Sequence, residues 1–260
     1  MSKQTRDGSA GDADYGAIAA DYSRYRQPDP RIADAIARAL APAETVVNVG
    51  AGAGSYESVA PRITAVEPSR AMRARRPPHL TPAVNATAEA LPFDDDAFDA
   101  AMTTFSVHQW HELAAGLREL RRVARGPVVV LTCDPALVRE FWLHSYAPSV
   151  LDTEARRYPA IEEITAVLGG RATVERVPIP LDCVDGFNEA YYGRPERLLD
   201  PGARDACSAW SFVEPALRER YVEALRAALH DGSWDARHGE LRHRPSWLGS
   251  LVLVRAVPEG

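Results

Sequence analysis

The chain has 260 residues, of which 46% are apolar and 25% charged, with a formal net charge of −6. That length can bury one sizeable core, or one domain with an inserted cap, in an ordinary globular composition. The negative balance opposes a nucleic-acid partner, whose affinity would rest on phosphate neutralisation, and no run nears the roughly 18 apolar residues of a membrane span.

Residues 1–13 are small, polar and glycine-bearing, and read as a mobile leader without the apolar core of a secretion signal, so the cytoplasm is the expected location. Lys3, the only lysine, lies in this leader, which removes Schiff-base chemistry and a P-loop lysine. From Asp14 to Arg26 apolar and aromatic residues recur near helical spacing, and a second helix is predicted from Pro30 to Leu40, stopped by Pro42. Residues 14–41 are thus expected to form two N-terminal helices. Strand-like runs follow at Thr45–Val49, Arg62–Glu67, Ala83–Ala86, Phe98–Phe105 and Val128–Cys133. Helical runs alternate with them at Gly54–Ala60, Ser69–Arg76 and Glu112–Ala124. Alternation of Val-rich strands with helices predicts a mostly parallel sheet covered on both faces, a Rossmann-like α/β fold of seven strands. Ligands of such sheets bind beyond the carboxyl ends of the strands.

After Asp134 the rhythm breaks. Helical patterns cover 136–147, 161–168 and a long region near 185–230, with late strands at Ala172–Pro180 and Ser250–Val257. The division expected is a core over 42–134 and substrate-cap helices over 135–171 and 181–247. Cys133, Cys183 and Cys207 form no CxxC pair and read as free thiols, with neither a zinc site nor a disulfide signalled.

The stretch from Val46 to Glu57 reads VVNVGAGAGSYE. A dinucleotide fingerprint wants G-x-G-x-x-G, whereas here Gly50, Gly52 and Gly54 alternate and Ser55 takes the place reserved for glycine, which weakens a nicotinamide reading. Polar Asn48 interrupts the apolar strand near its ligand end. The second strand ends at Glu67, where a carboxylate offers acceptors to a ribose diol and no competing donor. Further on come ATAEALPFDDDAFDAAMTTFSVHQW and LRELRRVARGPVVVLTCDP.

In this order the motifs resemble the class I S-adenosylmethionine-dependent methyltransferases, more narrowly the small-molecule "type 11" group, over about residues 14–134. The resemblance implies that S-adenosylmethionine binds and S-adenosylhomocysteine leaves. It places the Gly50–Gly54 bend, including Ala51 and Gly52, under the methionine part. Glu67 would hold the ribose hydroxyls, with Pro68, Ser69 and Met72 against sugar and adenine, and Ala88 and Glu89 at the adenine edge. Thr104, Phe105 and Ser106 would run beneath the sulfonium. Tyr15, Tyr22 and Arg26 would close over the methionine end, Arg26 meeting its carboxylate. Two positions depart from the family's pattern: Asn48 and Thr87 stand where acidic residues are usual. Asn48 can still accept from the cofactor's ammonium, at a loss of about 1 kcal/mol, or five- to tenfold in affinity.

His108 follows the fourth predicted strand, and a neutral imidazole there could take a proton from a hydroxyl or amine acceptor. The alternative is a histidine packed beside Trp110 that only shapes the pocket. His108 and His111 lack a third ligand, and Asp94–Asp96 reads as a solvated turn, so no metal site is expected. Cys133 and Asp134 end a strand on the ligand side and are candidates for the pocket wall.

The leading expectation is a methyltransferase acting on a small-molecule acceptor at O, N or C, in specialised-metabolite biosynthesis. A second reading keeps the fold and uses the cofactor non-reactively in a cyclisation or rearrangement. A third is a non-catalytic binding protein. The sequence leaves the oligomeric state open.

Overall fold

The structure, a computed structural model, describes residues 22–60 and 62–259. The leader and Tyr15 lie outside the described residues, and for Tyr22 only the backbone is described. The chain opens with helices α1 (Tyr22–Tyr25) and α2 (Pro30–Leu40). Pro30 opens α2 where its missing N–H costs nothing, and Asp29 caps it by accepting from the Arg31 N–H at 3.0 Å. Then come β1 (Thr45–Val49), β2 (Arg62–Val66), α3 (Arg70–Ala74), β3 (Ala100–Thr104), α4 (Leu113–Val123) and β4 (Val128–Cys133). The second half adds α5 (Pro148–Arg157), α6 (Ile161–Leu168), β5 (Arg171–Arg176), β6 (Ile179–Pro180) and α7 (Pro201–Asp205). It closes with α8 (Pro215–His230), α9 (Ser233–His238), β7 (Ser246–Trp247) and β8 (Leu251–Val257).

The central sheet has the order β2-β1-β3-β4-β8-β5, with β2, β1, β3 and β4 parallel and β8 antiparallel to both its neighbours. Side chains alternate across it, as the pleat requires. Val46, Met102, Val129 and Leu131 face Ile32, Ile36 and Leu40 of α2, all buried. Val47, Val49, Ala101, Val128 and Val130 face Leu117 and Leu120 of α4 and Ile164 of α6. Helices therefore cover both faces, and the two cores hold the carboxyl ends of β1 to β3 in fixed register.

The sheet has six strands, not seven. The run at 83–86 is reduced to a single parallel bridge between Val84 and Val66, with the Val84 N–H donating to Ala65 O and the Glu67 N–H to Val84 O. Pro82, just before the run, has no N–H to extend a ladder. The helix expected at 136–147 is instead two 3-10 turns, Val138–Glu140 and Trp142–Ser145, and α5 begins only at Pro148. The region 185–230 breaks into short turns before α8, because Gly193, Pro195, Gly202 and Pro215 interrupt it. The strand expected over 172–180 divides into β5 and β6, which belong to different sheets.

Candidate functional site

At the end of β1 the backbone leaves the sheet. The N–H groups of Gly50 and Ala51 both donate to Val66 O, at 2.9 and 3.0 Å, and Gly50 adopts φ +71°. A Cβ at Gly50 would lie 1.8 Å from Ser106 Oγ, so side chain and conformation are both refused there. Ser106 itself is fixed by accepting from Trp110 Nε1 at 3.0 Å.

Glu67 follows β2 and turns back over this bend. Its Oε2 accepts from the Gly52 N–H at 2.7 Å and its Oε1 from the Ser69 N–H at 2.8 Å. It is 7% exposed, and burial outweighs these bonds and holds its carboxyl above the usual range. A carboxylate has about four acceptor sites, so lone pairs remain for a further donor.

Above the bend lies a cleft of about 800 Å³, open to solvent at its mouth. Of the expected cofactor residues, Arg26, Gly50, Ala51, Gly52, Glu67, Pro68, Met72, Ala88, Thr104, Phe105 and Ser106 line it. Asn48, Ser69 and Glu89 are not among the residues that line it. Ser69 caps α3 by accepting from the Met72 N–H, and Glu89 accepts from the His111 and Glu112 N–H groups.

Asn48 is fully buried, and its Nδ2 donates to Glu57 Oε1 at 3.3 Å. Glu57 in turn is held by Arg76 through two bonds of 2.8 and 2.6 Å, both side chains 4% exposed. The departure from an acidic residue at position 48 thus has a local cause: an amide can donate to Glu57, whereas a second carboxylate would repel it.

The cleft also contains residues that motif reading did not find. Asp185, 2% exposed, accepts from Arg26 Nε at 2.5 Å and from the Tyr56 hydroxyl at 2.8 Å. The guanidinium of Arg26 also lies over the Phe105 ring, 5.1 Å from its centroid. Arg26 and Asp185 together present one cationic and one anionic group to the cleft. Gln109 is buried in the wall, and neither atom of its amide has a hydrogen-bond partner among the described residues. Asp185 comes from a loop far along the chain, and no sequence spacing announces it.

A second chamber of about 550 Å³ adjoins the first, with Arg26 and Phe105 lining both. Phe105 has φ +51°, a conformation that is costly for a bulky residue and clusters at functional sites. His108 lines the second chamber, its ring 4.7 Å from that of Tyr158. Burial, with Arg157 and Arg26 nearby, pulls its pKa down to about 3, so the imidazole is neutral at pH 7. Glu154, Arg157, Tyr158, Phe187 and Asn188 also line this chamber, and none carries a sequence signal.

Cys133 is buried and Asp134 Oδ1 accepts from the Ala136 N–H; neither lines the two cavities. Asp95 pairs with Arg122. Among the described residues no three His, Cys, Asp or Glu side chains converge as a metal site would require. Nor is any described helix long and apolar enough to cross a membrane.

A family model described as a methyltransferase domain matches residues 47–130, the segment that builds the bend, Glu67 and the β3 end. The uncharacterized protein YafE of Escherichia coli (strain K12) is 32% identical over 120 residues, 44% of this chain and 57% of that protein. A demethylmenaquinone methyltransferase of Mycolicibacterium gilvum (strain PYR-GCK) is 32% identical over 99 residues, 36% of this chain and 43% of that protein. The chain thus spans about half the length of these curated relatives. Among solved structures, one from Anabaena variabilis ATCC 29413 superposes with a TM-score of 0.84 at 28% identity, over 90% of this chain and 99% of that one. It is described as a candidate methyltransferase from an antibiotic biosynthesis pathway.

Proposed function

We propose that this chain, whose residues 47–130 match a methyltransferase-domain model, is a class I S-adenosylmethionine-dependent methyltransferase that transfers a methyl group from S-adenosylmethionine to a small organic acceptor in specialised-metabolite biosynthesis. The observation that carries this reading is the Glu67 carboxylate standing over a bend at whose Gly50 no side chain fits, within one cleft. These residues fit an adenosyl group bearing an amino acid. Glu67 would hold the ribose hydroxyls, with Met72 and Ala88 against the base. Arg26 and Asp185 would take the carboxylate and the ammonium, a task the motifs alone assign to Arg26 and Asn48.

The bound donor supplies a methyl group already activated for in-line displacement, so the protein's work is positioning and exclusion of water. Phe105 and Arg26 stand between the two chambers and would set the path from donor to acceptor. In this reading residues 14–41 are the lid, and residues 135–171 and 181–247 form the acceptor cap on the 42–134 core. Glu154 and Asn188 come from that cap, and His108 and Phe105 from the core. Aromatic walls and the acidic net charge favour a small metabolite over a nucleic acid. The description of the Anabaena protein supports a biosynthetic setting.

Isothermal titration with S-adenosylmethionine and S-adenosylhomocysteine tests the reading. Micromolar binding is expected, weakened by about 100-fold or more in Glu67→Ala, since two hydrogen bonds to a charged group are worth about 1.5–3 kcal/mol each. No heat from either ligand with the wild-type chain would reject it.

A further inference from the structure

The two edges of the central sheet differ. Beyond β2 the sheet continues through the Val66–Val84 bridge, and Pro82 limits it there. Beyond β5 nothing among the described residues continues it, and all six residues of β5 are exposed. We infer that this edge is a dimer contact, in which β5 pairs antiparallel with β5 of a second copy of this chain about a two-fold axis through Thr173.

The direction of the backbone groups limits the possible pairings. Val177, just after β5, donates its N–H to Leu251 O at 2.9 Å, in line with the β5–β8 register. Backbone groups alternate sides along a strand. Arg171, Thr173 and Glu175 therefore turn theirs toward β8, as Val177 does, and Ala172, Val174 and Arg176 turn theirs outward. Two copies pair only where outward residues oppose outward residues, which leaves an axis through Thr173 or Val174 near the strand centre.

Charge separates the two. An axis through Thr173 sets Arg171 opposite Glu175 of the second copy, and by symmetry Glu175 opposite Arg171. Both pairs fall at positions without ladder hydrogen bonds, where facing side chains come closest. An axis through Val174 instead sets Thr173 opposite Glu175 and Arg171 opposite Val177, so no opposite charges meet. Within one copy Arg171 and Glu175 stand about 13 Å apart along the strand, too far to pair with each other.

The strand also lacks the usual guards of an edge. It contains no proline or lysine, and its ladder with β8 runs through six residues without a bulge. Val174 is 50% exposed, and Ala172 of the second copy would lie against it. Leu248, 44% exposed, adds apolar surface nearby, since Arg176 donates to its carbonyl oxygen. Pairing joins two six-stranded sheets into one and leaves both donor clefts free, because β4 and β8 stand between β3 and β5.

Sedimentation velocity of the full chain tests the inference. Strand pairing of this length is a small interface, so a dimer Kd on the order of 10 μM is expected in about 0.05 M salt, and at least about threefold weaker in about 0.5 M salt. Val174→Pro removes an outward N–H, leaves the β8 ladder intact and should weaken the dimer at least about tenfold. Arg171→Glu and Glu175→Arg each set like charges opposite one another, and each should be monomeric alone. Mixed in equal amounts they should dimerise, because every facing pair is then of opposite charge. Calorimetric Kd for S-adenosylmethionine should stay within about twofold in all three variants, which shows that they are folded. A wild-type chain monomeric at about 300 μM, the result expected if the edge receives a different protein, would overturn the inference. So would a dimer untouched by Val174→Pro, or charge variants that dimerise alone or stay monomeric when mixed. Absence of donor binding by the wild-type chain would instead sink the methyltransferase reading.

Discussion

Replacing Asn48 by aspartate, an acidic residue as is usual at that position in the family the chain resembles, should destabilise this protein. Asn48 Nδ2 lies 3.3 Å from Glu57 Oε1 in a fully buried setting. Two unit charges at that separation repel by about 5 kcal/mol at an effective dielectric constant of about 20. The variant can escape by keeping the introduced carboxyl protonated. At pH 7 that costs about 1.4 kcal/mol per unit above an ordinary aspartate pKa near 3.9, or about 4 kcal/mol. The cheaper route sets the ceiling, and Arg76, already bidentate on Glu57, lowers it further. The folded-state pKa of the introduced carboxyl would be raised, so the penalty is present at pH 7 and shrinks as the pH falls toward 3.9; at pH 5 the ceiling is about 1.5 kcal/mol. Urea unfolding of wild type and Asn48→Asp at both pH values measures this directly. A variant within about 0.5 kcal/mol of wild type at pH 7 would refute the reasoning. So would a variant binding S-adenosylmethionine about five- to tenfold more tightly, the result expected if position 48 served the cofactor's ammonium.

Gly50→Ala should abolish donor binding or folding, because its Cβ would meet Ser106 Oγ at φ +71°; if stability falls, pairing it with Ser106→Gly should recover part of the loss. Asp185→Asn removes the carboxylate that pairs with Arg26 Nε and gives Tyr56 a weaker acceptor, and should weaken S-adenosylmethionine binding by about tenfold in a calorimetric titration. His108, with a folded pKa of about 3 against an ordinary 6.5, binds fewer protons folded than unfolded between those values. Stability should therefore fall as the pH drops below 6.5, by about 2 kcal/mol at pH 5 from this group, and His108→Gln should remove that share of the acid sensitivity in urea melts at pH 5 and 7.

The first half of the chain is legible because each element there carries a local signal. Val-rich runs bounded by Pro and Gly mark β1 and β4 to the residue, and the alternating glycines with Glu67 mark the bend and its partner. Ser69 announces the start of α3 as an N-cap. The second half resists for physical reasons. Pro148–Arg157 forms α5 although its buried positions include Thr153 and Ala155, a weak apolar stripe beside several charges. Between 185 and 214 the chain is held by short turns and by side-chain bonds such as that from Trp210 Nε1 to Asn188 Oδ1 at 3.0 Å. Such bonds join residues with no fixed spacing. Asp185 and Glu154 are the consequence for the site. The first reaches Tyr56 across 129 positions of sequence, and the second shares a chamber wall with His108 although they stand on separate elements. Asn48 is hard to read for a related reason: its partner Glu57 is close in sequence, but Arg76, which fixes Glu57, is not.

A crystal structure with S-adenosylhomocysteine bound tests the account most directly. Both ribose hydroxyls should lie within hydrogen-bonding distance of the Glu67 carboxylate, with the amino-acid portion running along Gly50–Gly54 toward Arg26 and Asp185. A nucleoside seated elsewhere, with Glu67 still turned only to the Gly52 and Ser69 amides, would contradict it.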